Sequence, residues 1–488
     1  MGLIEQAIHR HARDRPDKVL LRLGDATVCY GQLPGLVDAC ARRLRRELPA
    51  PDPDHPVLLV GGSTPSFAVH LFALWHLGHG VLPLSERLPD AERRRVADQA
   101  GSRVTLEASN LPDIATDSGD EPLRLGGWLA MLASGTTGPA KIARKQMPAV
   151  DAVAHQVFAS VGYRPDDIVY SGVPLTHAYG LEAGLLAPLL AGATVELENT
   201  FDTVQLGQRL HETRATIVPA VPAMIEMMVQ IRRDASNESG SAFPHIRRLL
   251  CAGATLPESL WHTCRDTLGL DVCNYYGATE MGSVCLADPE TPGHTARWLG
   301  QPMPGVTMSV VDPVTHEPLP DGQTGEIAVA APSLMAGYLT QGGTIDQDAA
   351  LIDRDGRRWF VTGDLGVRFE DGHFEFVARR KLLIEVGANK VNPYEVESIL
   401  REHPAVKDAM VRGDRLNQTI SRLTALIEPT VDEQPPSAAE LRTHCREHLA
   451  PWKVPRTFRC QALPRSALGK VIRHRSTSPS PSLVGSSG

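Results

Sequence analysis

Between residues 146 and 290 the chain repeatedly alternates a short apolar run with an amphipathic stretch of helical length. No other feature restricts its fold so strongly. The spacing predicts helices over 148–161, 178–191, 203–213, 221–233 and 257–268, interleaved with "DIVYSGV", "ATVEL", "ATIVPA", "HIRRLLCAG" and "DVCNYYG" as strands. Strands separated by helices of this length build βαβ units with mainly parallel sheets. A shorter series precedes it: strands at "PVLLV" (56–60) and "GVLPL" (80–84), helices over 65–78 and 89–100, and "GGWLAML" as a buried strand. Two α/β halves are therefore expected, roughly 1–145 and 146–290. From 300 to 378, short segments such as "VTMSVVD", "GEIAVAA", "RWFVTGD" and "GHFEFVA" read as a small β-rich unit. Past 380 the texture becomes short α+β, with a strand at 382–386, helices at 393–402 and 437–448, and strands at 406–412 and 421–427. The last stretch, "STSPSPSLVGSSG", is too polar to bury a core and is expected to be disordered.

Composition narrows the function classes. A chain of 488 residues is too long for one ordinary domain. Its net charge of −8 argues against nucleic acid as a partner, because phosphate binding needs clustered basic residues. The eight cysteines form no C-x-x-C pair, the pattern of free thiols in a reducing compartment. The N-terminal "MGLIEQAIHRHARDRPDK" is too polar for a signal peptide, and no run of 18 apolar residues occurs, so a cytoplasmic protein without a membrane span is expected.

The chemistry is concentrated at strand ends, where open α/β sheets bind ligands. "ASGTTGPAKIARK" sets Ser134, Thr136 and Thr137 among Gly135 and Gly138, with Lys141 and Lys145 just beyond. Glycines let backbone N–H groups approach an anion, while hydroxyls and lysine add donors and charge, so the turn reads as a phosphate cradle. It is not a P-loop, because G-x-x-x-x-G-K-[ST] appears nowhere. Four further stretches stand out: "NYYGATEMG" (274–282), "TGDLG" (362–366), "ARRKLLIEVGANKVNPYEVE" (378–397) and "PRSALGKVIRHR" (464–475). Singly, each has a structural explanation as a cap, a turn or a solvated surface.

Together, and in this order, the five stretches resemble the adenylate-forming superfamily of acyl- and aryl-CoA synthetases, peptide-synthetase adenylation domains and luciferases. The motif spacing most resembles the acyl/aryl-CoA ligases, over about residues 1–475. The resemblance implies an α/β fold: a core domain (1–378) of two sheet subdomains and a β-rich unit, a hinge (379–383) pivoting at Lys381, a small mobile α+β domain (384–475) and a tail (476–488). It implies that Ser134, Gly135, Thr136, Thr137, Gly138 and Lys141 contact the ATP phosphates. By the same resemblance Gly253 and Ala254 ("AGATLP") would flank the adenine, Tyr276 and Gly277 would back it, Thr279 would meet the α-phosphate, and Glu280 would hold Mg²⁺. Asp364 and Arg379 match the family's ribose contacts, and Lys470 matches the lysine that reaches both the substrate carboxylate and the α-phosphate.

In "VPLTHAYGLEAGLLAPLLAGATV", His177 precedes Gly192 by fifteen residues, the spacing of aryl- and acyl-CoA ligases in which the matching histidine flanks the carboxylate. Tyr179 stands where amino-acid-activating domains carry aspartate. One helical turn aligns Tyr179, Glu182 and Ala183, which with Gly253, Ala278 and Met281 are candidates for the acid pocket. Glu182 is also open to a solvent-facing reading. Glu385 stands where several relatives that form acyl-CoA carry lysine. The resemblance thus points to an ATP- and Mg²⁺-dependent acid–thiol ligase, as a monomer or homodimer, acting on a small acid. The acceptor is coenzyme A or a separate phosphopantetheinyl carrier protein, in secondary metabolism. A catalytically silent nucleotide-binding homologue is the reading from another class.

Overall fold

A computed structural model describes residues 1–108, 110–111, 123–133, 141–199, 205–234, 243–289, 291, 294–340, 344–346, 350–386, 389–415, 421–430, 435–465 and 471–473. The chain divides into two compact units, and the division falls between Arg380 and Lys381. The expected disordered tail lies outside the described residues.

In the larger unit the described strands form two sheets. In the first, Val57–Gly61, Gly80–Ser85, Val104–Glu107 and Trp128–Ala133 run parallel. Lys141–Gln146 then turns back antiparallel against Trp128–Ala133. The second, fourteen-stranded sheet has a parallel centre: Thr194–Leu197, Ile168–Ser171, Ile217–Ala220, Arg248–Cys251 and Val272–Ala278. It continues without a break into the antiparallel strands of the β-rich segment, Gly282–Leu286 through Arg357–Arg368. The expected βαβ alternation is therefore present, and the β-rich segment is an extension of the second sheet.

The division into halves at residue 145 does not hold. Val19–Leu23 pairs with Thr194–Leu197 in the second sheet, and Gly337–Leu339 returns to pair with Lys141–Gln146 in the first. The reason is packing. The helix Pro65–His76 is predominantly apolar and buried along nearly all its length, so it needs cover on most sides. The main core accordingly joins Val57 and Leu59 of the first sheet to Leu21 and Val195 of the second.

The predicted helix 178–191 is interrupted. Ala178–Leu181 leads into a π-helical turn, Glu182–Leu186, before α-helix resumes at Ala187–Ala191. Such insertions concentrate at functional sites.

The smaller unit has its own core. Pro393–Arg401 and Ala438–His448 pack on a sheet of Val406–Arg415, Ser421–Pro429 and Thr457–Cys460, with Val396, Leu400, Ile427 and Leu441 inside. No helix among the described residues is long and apolar enough to cross a membrane.

Candidate active site

Asp364 lies opposite Arg379 on neighbouring strands. It is 3% exposed, yet both carboxylate oxygens are supplied. Arg379 Nε donates to Oδ1 at 2.7 Å, and the Tyr276 hydroxyl donates to Oδ2 at 2.9 Å from the strand Val272–Ala278. Burial without such partners would cost several kcal/mol. Burial also pushes the Tyr276 hydroxyl well above its ordinary range, which keeps it a donor. Three residues from separate sequence motifs thus meet at one carboxylate.

Glu280 follows the same strand. The Tyr338 hydroxyl donates to its Oε1 at 2.6 Å, and Lys141 Nζ sits 4.4 Å from the Tyr338 ring centroid, a cation–π distance. Among the described residues the other Glu280 oxygen has no protein partner. Thr279 Oγ1 lies 3.5 Å from the carbonyl of Leu132, bringing this turn to the end of Trp128–Ala133.

Beneath the turn runs a polar brace that sequence reasoning missed. Lys145, fully buried, donates to the Ser333 carbonyl at 2.5 Å, and the Ser333 hydroxyl donates to the Met281 carbonyl at 2.7 Å. Glu182 accepts from Ser283 Oγ at 2.5 Å and from its N–H at 3.2 Å. Desolvation lowers the Lys145 pKa to about 8, opposed by the carboxylates of Glu182 and Glu280; burial raises that of Glu182, opposed by Lys145 and Ser283. Gly282, at φ +74, turns the chain over this brace, and a Cβ there would meet Val153 at 2.8 Å and Lys145 Nζ at 3.3 Å. Lys145, expected beside the phosphate turn, is thus turned inward, on a strand ("KIARKQ") whose polar sequence gives no sign of burial.

His177 precedes the short helix Ala178–Leu181. Its side chain reaches solvent, but the protein crowding around it lowers its pKa by desolvation, which favours the neutral imidazole. Tyr179 packs 5.1 Å from Tyr275, and Ala183 lies fully buried in the same cluster, its carbonyl taking the Tyr163 hydroxyl at 2.7 Å. Glu182 does not face solvent. It is turned to Ser283 and to a small apolar cavity shared with Met131, Val150, Leu181 and Lys145, because the π-helical turn starts at this residue. The Met281 side chain is fully buried in a cluster with Val284, Leu299 and Tyr338. Gly253, at φ +84, is exposed where the chain leaves Arg248–Cys251, with Ala254 half-buried beside it; Gly277 is exposed and Ala278 half-buried.

Ser134, Gly135, Thr136, Thr137, Gly138 and Lys470 lie outside the described residues. Lys381 is exposed in the short 3₁₀ turn Arg380–Leu382, and Glu385 lies on Ile384–Val386, its side chain outside the described part.

Known proteins are similar to this chain along nearly its whole length. The family model for AMP-binding enzymes matches residues 8–125 and 129–339, and that for the AMP-binding enzyme C-terminal domain matches 395–470. An indoleacetate–CoA ligase of Aromatoleum aromaticum is 28% identical over 510 residues, covering 96% of each chain. A feruloyl-CoA synthase of Amycolatopsis sp is also 28% identical, over 95% of this chain and 96% of its own. The structure of o-succinylbenzoate CoA synthetase from Bacillus subtilis with its acyl-adenylate intermediate superposes with a TM-score of 0.80 at 24% identity, over 96% of both chains, and shows the same fold. The chain belongs to the AMP-binding enzyme family.

Proposed function

We infer that this enzyme activates a carboxylic acid with ATP and passes the acyl group to the thiol of coenzyme A. In the first step a carboxylate oxygen bonds to the α-phosphorus as the bond to the β,γ-phosphates breaks, giving an acyl adenylate and pyrophosphate. In the second, the thiol sulfur bonds to the acyl carbon and AMP leaves. The observation that carries this reading is the buried Asp364, held by Tyr276 and Arg379. A carboxylate accepts at both oxygens and these two are held in a fixed orientation, a chemistry that suits the paired hydroxyls of a ribose. Full-length relatives named as CoA ligases support the same chemistry.

The first step brings two anions together. Two unit charges ~4 Å apart repel by about 4 kcal/mol at an effective dielectric of ~20. We assign Lys470 to the space between them, where its ammonium offsets that repulsion and the charge developing in the transition state. Glu280 fits a magnesium site: one oxygen is fixed by Tyr338 and the other has no partner among the described residues. Mg²⁺ characteristically combines one or two carboxylates with substrate phosphates. When bound, the ion supplies charge neutralisation for the departing pyrophosphate. Ser134, Thr136, Thr137 and Lys141 are assigned to those phosphates. The acid is assigned to the wall formed by the neutral His177, Tyr179, Gly253 and Ala278, and Lys381 to the pivot by which the smaller unit exchanges roles between steps.

No protein nucleophile is needed. Burial pushes the thiol of Cys273 to about 11 and raises those of Cys40, Cys251, Cys264, Cys285 and Cys445, so they remain poor nucleophiles. All eight cysteines are unpaired, which supports a reducing compartment such as the cytoplasm.

The test is pyrophosphate exchange screened over aryl, short-chain, medium-chain and amino-substituted acids, followed by thioester formation with coenzyme A or with carrier proteins. Acid-dependent exchange and a CoA thioester are expected. Acylation of a carrier protein alone would replace coenzyme A as acceptor. Exchange with none of the acids would overturn the reading.

A further inference from the structure

The smaller unit carries donor groups for which acid activation has no use. The helix Ala438–His448 ends in His444-Cys445-Arg446-Glu447-His448, which sets His444, Glu447 and His448 at positions i, i+3 and i+4, neighbours on one helical face. One nitrogen from each imidazole and one Glu447 oxygen lie within 4.8 Å of one another.

The proton positions follow from the partners. A carbonyl can only accept, so His444 Nε2–H donates to Ile399 O at 2.8 Å and His448 Nδ1–H donates to His444 O at 2.9 Å. In the neutral rings the lone pairs then sit on Nδ1 of His444 and Nε2 of His448. Fixing one ring nitrogen on a carbonyl while the other keeps its lone pair is the arrangement that supports metal-bound histidine. His403, whose ring stands edge-on to His444 at 5.4 Å, is different. Its Nδ1 accepts from the Ala405 N–H at 3.3 Å, so its proton occupies Nε2 and the neutral ring offers no second lone pair.

Two further features favour a cation here. Glu447 and His448 lie in the last turn of the helix and His444 one turn before them, close to the end where unsatisfied carbonyls concentrate negative potential. Glu447 is exposed, so its carboxylate can turn to close the spacing to the roughly 3.4 Å expected between ligands on a tetrahedral ion with bonds of about 2.1 Å.

We propose that His444, Glu447 and His448 form a binding site for one divalent transition-metal ion of the zinc class, completed by water. Two imidazoles and one carboxylate suit Zn²⁺, Ni²⁺ or Cu²⁺, whereas Mg²⁺ and Ca²⁺ take oxygen ligands, so this site is chemically separate from that assigned to Glu280. An ion there ties the end of the helix together and, through the His444–Ile399 bond, holds it to Pro393–Arg401.

The experiment is calorimetric titration of ZnCl₂ into the full chain with millimolar Mg²⁺ present, comparing wild type with His448→Gln, Glu447→Gln and His403→Gln. The wild type is expected to bind one ion at this site. Binding should weaken at least about tenfold in His448→Gln and Glu447→Gln, the scale seen for losing even an outer-shell partner. It should be unchanged in His403→Gln. Equal zinc affinity in wild type, His448→Gln and Glu447→Gln, or no bound ion in the wild type, would overturn the proposal.

Discussion

At the scale of single residues, the candidate site is a set of carboxylates whose orientation is fixed by partners from other strands. Replacing Asp364 by alanine removes an acceptor held by Arg379 and Tyr276. Hydrogen bonds involving a charged group are worth about 1.5–3 kcal/mol, so the KM for ATP should rise roughly 10- to 100-fold in exchange assays. Unaltered ATP affinity would remove Asp364 from the nucleotide site. Tyr338→Phe deletes only the hydroxyl that donates to Glu280. The Mg²⁺ concentration for half-maximal exchange should rise about tenfold on the same scale, with little change in melting temperature. An unchanged requirement would mean that Tyr338 does not orient Glu280. Asp364, Arg379, Tyr276 and Glu280 were legible in the sequence because each sits in a compact motif. Tyr338 was not: it lies on a strand of three residues, and its contact with Glu280 spans 58 positions.

At the scale of elements, apolar periodicity gave the strands and helices of both α/β series, but it was blind to the π-helical turn. Positions 183–187 are all small or apolar, so one extra residue in a turn leaves the pattern unchanged. That turn aims Glu182 at Ser283 and toward Lys145, a result helical spacing alone does not give. Lys145 has a measurable consequence. Its pKa is about 8 when folded and near 10.5 when exposed. Between these values the unfolded chain holds more protons, so this group's contribution to stability rises with pH across that window. Lys145→Met lacks the titration. The difference in unfolding free energy between wild type and Lys145→Met should therefore shift in favour of the wild type from pH 7.5 to pH 9.5. A pH-independent difference would show that Lys145 does not titrate in that window.

At the scale of the whole molecule, the chain order of elements predicted the fold class, while the pairing of remote strands was beyond reach. Nothing in "AGYLT" says that it returns to a strand nearly two hundred residues earlier, because a three-residue strand has no periodicity of its own. The most demanding prediction also belongs at this scale. Lys470→Ala should slow adenylation by roughly 10²–10³, the cost of removing one charge-stabilising group. Its melting temperature should match the wild type. If pyrophosphate release were as fast as before, the charge between the two reactants would come from elsewhere.

The returning strand Gly337–Leu339 also governs the order in which the molecule can be made. Lys141–Gln146 leaves the ribosome with one edge unpaired and must wait for about 190 further residues before its partner exists. At about 5–20 residues per second that wait is on the order of ten to forty seconds. Throughout it an open β-edge is available to neighbouring nascent chains, a hazard for strand-to-strand aggregation. Two lysines and an arginine on that strand, Lys141, Arg144 and Lys145, put charge on the waiting edge and discourage such pairing until the last piece arrives.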